Sequence, residues 1–201
     1  MRCARASRNS RRTTTSRRRF LSDGIRLATE RLILREAVED DAPVLLAYHL
    51  RNQERFAPWE PKAGTEVAQH VHWIVWRRNE TDAGNALTLL AFDRAVPEAL
   101  VGIVSLDGFT RGPRRTAMLS YTVDGAYEGK GYAREACEAM IACAFETLDL
   151  EELNATYDVA NARSGGLLAL LGFTVIASTP VIPGMERLMR AQSLAVLARA
   201  P

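Results

Sequence analysis

Cysteine is scarce in this chain: Cys3, Cys137 and Cys143 are an odd number, with no C-x-x-C or Cys/His ligand spacing among them. The shortage argues against a disulfide framework or a zinc module, and it predicts a protein of the reducing cytoplasm with no metal. Long apolar runs are missing too. None approaches the ~18 residues that span a bilayer, so neither a membrane-spanning helix nor a membrane partner is expected. Internal repeats are absent, and low complexity is confined to the first 19 residues. Lysine is almost absent, with only Lys62 and Lys130 among 26 basic residues. What is present is a globular composition: 201 residues, 47% hydrophobic and 25% charged, enough for one domain with a buried core.

Acidic residues are lacking at the N-terminus. Residues 1–19 hold eight arginines and no acid, which leaves 18 basic against 24 acidic residues in the remainder, a balance of −6. The overall charge of +2 therefore belongs to the leader, and the rest shows no basic bias toward nucleic acid. The leader lacks the roughly 7–15-residue apolar core of a secretory signal, and its Arg/Ser/Thr content only imitates a transit peptide. The expected division is a disordered leader, or an over-extended start, over 1–19 and a single domain over 20–201. A basic arm that touches RNA or the ribosome is the alternative, although no aromatic residue interrupts it to stack on bases.

From Gly24 the pattern becomes ordered. Ile25-Arg26-Leu27 and Leu32-Ile33-Leu34, around Thr29-Glu30-Arg31, read as a first strand. Glu39-Asp40-Asp41 places acids at the start of a helix carrying Val44, Leu45 and Tyr48. Pro58 and Pro61 break the chain, and Thr65-Glu66 opens a second helix that stops near Ala83-Gly84. Ala86–Phe92 and Leu100–Leu106 form a predicted hairpin, and Met118–Val123 a third strand. After Glu128-Gly129-Lys130-Gly131, the stripe Ala133, Ala136, Met140, Ile141, Ala144, Leu148 predicts a helix packed on a sheet. Leu153–Val159 reads as strand, Asn161–Leu171 as a short helix ended by Gly172, and Phe173–Ile176 as strand. Residues 185–200 fit helix by composition and a closing strand by position.

The glycine-rich turn before the long helix has a physical use, because its N–H groups and the helix N-terminus converge on one point that attracts phosphate. It is not G-x-x-x-x-G-K-[ST], which argues against a P-loop, and it lacks the third glycine of a dinucleotide fingerprint. Taken alone, the loop fits a tight strand-to-helix turn equally well.

Four motifs occur in order: Thr29-Glu30-Arg31-Leu32-Ile33-Leu34-Arg35, Tyr121-Thr122-Val123, Gly129-Lys130-Gly131-Tyr132-Ala133, and Asn161-Ala162-Arg163-Ser164 followed by Leu170-Leu171-Gly172-Phe173. Together they resemble the GNAT N-acetyltransferases, in particular their ribosomal-protein-alanine branch, over residues 24–191. The resemblance implies an α/β fold, with a mixed, mostly antiparallel sheet of six to seven strands splayed into a V between the fourth and fifth, and helices on both faces. It implies acetyl-CoA as cosubstrate and an amine as acceptor, either a protein N-terminus or a small molecule. The pantetheine is expected to pair with the backbone of Tyr121, Thr122 and Val123, and the pyrophosphate to sit on Gly129, Lys130, Gly131, Tyr132 and Ala133. Asn161 matches the pantetheine-binding asparagine, and Ser164 the hydroxyl near the cofactor sulfur.

Direct attack of an amine on a thioester needs a proton source for the thiolate, and the candidates are Ser164 and Tyr121. Ser164 also fits as a helix N-cap, and Tyr121 as a packing residue. Asp107 and Glu60 are the candidate bases. Cys137 and Cys143 read as small core hydrophobes. Glu128 stands where the family usually has Arg or Gln, and Met118 where relatives often carry a glutamate. These departures support an alternative, a weakly catalytic acyl-CoA-sensing module. Gly165-Gly166 predicts a flexible cleft wall. His70 and His72 fall on different helix faces and do not chelate. Trp59, Trp73 and Trp76 read as core and cleft wall, with Trp59 able to border the acceptor site. A monomer and a homodimer fit equally.

Overall fold

The computed structural model describes residues 24–179 and 192–200. The expectations for the leader 1–19 and for residues 185–191 lie outside the described residues. The elements are β1 (Arg26–Ala28), β2 (Leu32–Arg35), α1 (Ala42–Phe56, after a 3-10 turn at Glu39–Asp41), α2 (Val67–Asp82), β3 (Leu87–Asp93), β4 (Leu100–Asp107) and β5 (Thr116–Val123). Then come α3 (Tyr132–Ala142, continued by a π-helical turn at Cys143–Thr147), β6 (Glu152–Asp158), α4 (Ala162–Leu170), β7 (Thr174–Thr179) and β8 (Gln192–Ala198).

These strands form one sheet of eight, in the order β1-β2-β3-β4-β5-β6-β8-β7, rather than the six to seven expected. One extra strand comes from the N-terminal run, which is two antiparallel strands instead of one. Thr29 turns the chain: its backbone N–H donates to the Leu32 carbonyl at 2.9 Å and its hydroxyl oxygen accepts from the Leu32 amide at 3.0 Å. The C-terminal run resolves as strand over 192–198, flanked by β6 on one edge and β7 on the other. Two ladders outweigh the helix preference of Ala and Leu.

Strand alternation builds a core on each face. On one, Leu32, Leu34, Leu89, Ala91, Val104 and Leu119 pack against Ala136, Cys137 and Met140 of α3. On the other, Leu90, Phe92 and Leu100 pack against Leu45 and Tyr48 of α1 and Ile74 of α2. Fully burying a leucine contributes roughly 1.5–3 kcal/mol, and Leu32, Leu34, Leu45, Leu89 and Leu90 are all sealed from water. The sheet is thereby fixed as the wall that positions the site.

The ladder fails at one place. β5 and β6 run parallel and pair only at Thr116–Met118 with Glu152–Asn154, so their C-terminal halves diverge and open a V. The split lies between the fifth and sixth strands, one later than expected, because the first strand is a hairpin.

Candidate active site

Two cavities adjoin the open end of the V. The larger, about 1070 Å³, is lined by Tyr121, Thr122 and Val123 of β5, Gly129, Gly131, Tyr132 and Ala133 at the start of α3, and Asn161 and Ser164 at the start of α4. Among the residues expected on the cofactor, only Lys130 is missing from this wall. Its exposed ammonium turns back onto the Ala126 carbonyl at 2.8 Å. The smaller cavity, about 470 Å³, lies on the α1/α2 face, with His49, His70, Trp73, Ser105 and Ser120 in its wall. Phe56, Glu60, Tyr121 and Thr122 belong to both walls, so the two spaces meet there.

The turn before α3 is shaped by glycine. Gly129 and Gly131 have φ of +68° and +83°, a region costly for any residue with a Cβ, and Gly131 is the N-cap of α3. The motif around Thr29 secures this turn from across the sheet. Glu135 of α3 accepts from the Thr29 hydroxyl, from the Arg31 amide at 2.8 Å and from Arg31 Nε at 2.6 Å, while Arg31 also donates to the Lys130 carbonyl. N–H groups at a helix start, next to a strand edge that among the described residues has no neighbour beyond Met118, fit a phosphate-tailed, extended ligand.

At the start of α4 the N-cap is Asn161, whose side-chain oxygen accepts from the Ser164 amide at 3.1 Å. Ser164 is not the cap. Its hydroxyl is free of that duty and lies 3.0 Å from the Tyr121 phenol. Burial, only partly offset by Ser164, pushes the Tyr121 phenol up to about 12, so it stays protonated. Gly165 has a packing reason: a Cβ there would come within 2.7 Å of the Tyr157 ring, so α4 lies flush on β6. Gly166 opens onto the larger cavity.

The two candidate bases part company. Asp107 ends β4 at the closed side of the V, opposite Met118, and pairs with Arg77 of α2 at 2.7 Å. It lines neither cavity, because strand alternation gave its face but not its height along the ladder. Met118 sits at the same closed end, so its departure from the family lies away from the site. Glu60 lies where the cavities meet, and although the residue as a whole is exposed, surrounding protein strips water from its carboxyl and raises it above the usual carboxylate range. Glu128 is held by Arg55 of α1 and by Arg163 of α4 at 2.7 Å, which bridges three elements at the mouth of the larger cavity.

Sequence reading missed Arg55, Arg134 and Arg163, which give that cavity its cations. It also missed Asp124, a buried carboxylate that accepts from Arg51, from Asn52 at 3.1 Å and from the Ala126 amide at 2.9 Å, tying α1 to the end of β5. No local signal announces partners some 70 residues apart. Cys137 and Cys143 are buried as expected, and burial pushes both thiols up, which makes them inert. Trp59 lines the larger cavity rather than the smaller, Trp73 the smaller, and Trp76 is 51% exposed and not core. Among the described residues no helix is long and apolar enough to cross a membrane, and no group of three or more His, Cys, Asp or Glu is placed to hold a metal ion.

Residues 31–174 match the family model described as an acetyltransferase (GNAT) domain. The [ribosomal protein uS5]-alanine N-acetyltransferase of Escherichia coli K12 is 32% identical over 155 residues, 74% of this chain and 78% of that protein. The putative ribosomal N-acetyltransferase YdaF of Bacillus subtilis is 27% identical over 148 residues, covering 72% and 78%. Among solved structures, the ribosomal-protein-S5-alanine acetyltransferase of Vibrio fischeri superposes with a TM-score of 0.78 at 24% identity, over 87% of this chain and 96% of that one. Mycobacterium smegmatis RimJ in complex with CoA-disulfide gives 0.74 at 23%, over 83% and 81%. With the V-shaped sheet, the glycine turn and the matched length in agreement, this chain belongs to the GNAT family and is an acetyl-CoA-dependent N-acetyltransferase.

Proposed function

We propose that the chain acetylates the α-amine of a protein N-terminus, with a ribosomal protein as the candidate acceptor, and that acetyl-CoA occupies the larger cavity and the amine the smaller one. The observation that carries this reading is the shared wall of the two cavities at Glu60 and Tyr121, where an amine and a thioester meet without a covalent enzyme intermediate. Acetyl-CoA supplies the activated acetyl group. Leu119–Val123 offers it a strand edge, the amides from Gly129 to Ala133 receive its pyrophosphate, and Arg134 adds charge nearby. Asn161 lines the same space, and with its oxygen engaged by the cap its NH2 is the group it can offer the pantetheine.

In the transfer, Glu60 takes the proton of the attacking amine, whose nitrogen forms a bond to the carbonyl carbon as the carbon–sulfur bond breaks. The Tyr121–Ser164 hydroxyl pair returns a proton to the departing sulfur. The similarity to ribosomal-protein N-acetyltransferases supports the acceptor class. The test is thiol release from acetyl-CoA with an alanine-initiated peptide and with the same peptide blocked at its α-amine. Turnover of the free peptide alone is expected, and equal turnover of both would refute the assignment.

A further inference from the structure

The smaller cavity holds two polar groups whose hydrogen positions follow from the buried chains behind them. The first begins at the Glu66 carbonyl, which can only accept, so His70 Nδ1, 3.0 Å away, carries a proton. In a neutral ring His70 Nε2 is then an acceptor, and His49 Nδ1, 3.0 Å from it, must be the donor. The Leu45 carbonyl, one turn back on α1 and able only to accept, is a second acceptor for the His49 ring proton, and among the described residues no hydrogen bond is made to His49 Nε2, which is left as a lone pair on a ring in the cavity wall. His70 is 3% exposed, so the far end of the relay is locked. Burial, then the neighbouring His70, hold the His49 ring down to about 4, so it is neutral near pH 7 and the tautomer persists.

The second chain begins at Asp107, which pairs with the buried Arg77. Arg77 Nε can only donate, and it does so to the Thr88 hydroxyl at 2.6 Å. Thr88 is 5% exposed, and among the described groups the acceptor for its own proton is the Ser105 hydroxyl, 3.0 Å away. Ser105 therefore receives from Thr88, and its own O–H is left to donate into the cavity it lines.

We propose that these groups read the acceptor as an α-aminoacyl unit, His49 Nε2 accepting from its nitrogen and the Ser105 hydroxyl donating to its carbonyl oxygen. The inference rests on the proposed function for placing the acceptor in this cavity, and adds that the site distinguishes a peptide terminus from a plain alkylamine. An amine without the carbonyl leaves a committed, nearly buried donor without a partner, and such sites discriminate strongly against the analogue that lacks the group. His70 is a positioning residue here, acting through His49.

The experiment compares alaninamide with isopropylamine, which share a branched carbon at the amine and differ in the carboxamide. Rates are expressed per unprotonated amine. The wild-type enzyme is expected to favour alaninamide by at least about tenfold in kcat/KM, and Ser105→Ala to cut that preference about fivefold through the acceptor KM, the size of one neutral hydrogen bond. Nitrogen-15 spectra of the full-length protein should show His49 protonated at Nδ1 and bare at Nε2. A protonated Nε2, or a preference unchanged in Ser105→Ala, overturns the proposal. Equal turnover of the two amines overturns it while leaving the acetyltransferase intact, whereas an enzyme that binds acetyl-CoA and turns over neither these amines nor the alanine-initiated peptide overturns the N-terminal acceptor reading, and this inference with it.

Discussion

The phenol of Tyr121 and the hydroxyl of Ser164 lie 3.0 Å apart across the open V, joining β5 to α4 at a point where the sheet itself has no ladder. Removing either hydroxyl tests the proton source. Tyr121→Phe is expected to lower kcat and kcat/KM together, on the order of a hundredfold, with little change in acetyl-CoA affinity. Ser164→Ala should slow turnover while keeping the melting temperature. Asn161→Ala, which deletes the cap, should cost about 1 kcal/mol of stability. A destabilised Ser164→Ala enzyme with wild-type kcat would assign the serine a purely structural role.

Glu60 sets a second expectation, in pH. A peptide α-amine must lose its proton near pH 8, so log kcat/KM rises with unit slope below that point. The Glu60 carboxyl, raised by desolvation, must itself be ionised to act as base, so the slope should steepen to two as pH falls through its raised value. On the same wall, His49 ionises only at about 4 and the Tyr121 phenol stays protonated up to about 12. In Glu60→Gln the slope should remain one and the plateau should fall. A slope of two surviving in that variant would remove Glu60 from the mechanism.

Gly131 is the place to test the phosphate cradle. Gly131→Ala introduces only the backbone cost of a positive φ, whereas Gly131→Glu adds a carboxylate beside the expected pyrophosphate. Calorimetry should show weaker acetyl-CoA binding in the alanine variant and at least roughly tenfold more loss in the glutamate variant. Equal affinities in the two variants would place the pyrophosphate elsewhere.

Asp124 predicts an acid limb in stability. Burial alone would raise its carboxyl, but the Ala126 amide, Arg51 and Asn52 outweigh that and hold it below the usual range. Its folded value being the lower one, its contribution is complete above the unfolded value near 3.9 and is lost as pH falls through the folded value. Asp124→Asn should lower the melting temperature at pH 7 and flatten the fall on acidification. A parallel downward shift at every pH would mean that the charge is irrelevant.

The elements built on local periodicity were legible: the β3–β4 hairpin, α1 to α4 and the glycine turn all lie where spacing put them. The Thr29 turn was hidden because it contains neither glycine nor proline. β8 was hidden because Gln192–Ala198 takes its conformation from strands on both sides. The wall of the larger cavity was readable because its residues cluster in three short motifs. Asp107 misled because alternation assigns a face and not a register, and the Glu66–His70–His49 relay was invisible because it joins two helices that only the fold brings together.

The divergence of β5 and β6 divides the sheet into two leaves joined by three residue pairs. A ligand laid along Leu119–Val123 therefore acts as a brace between leaves, and its binding energy becomes stability of the whole domain. At a hundred times its dissociation constant that linkage amounts to about 2.7 kcal/mol. The enzyme in a cell rich in acetyl-CoA is consequently expected to be a sturdier object than the purified apoprotein, with core amides of both leaves that exchange only by global unfolding slowed together and extra protection at Leu119–Val123 and the turn before α3 marking where the brace sits.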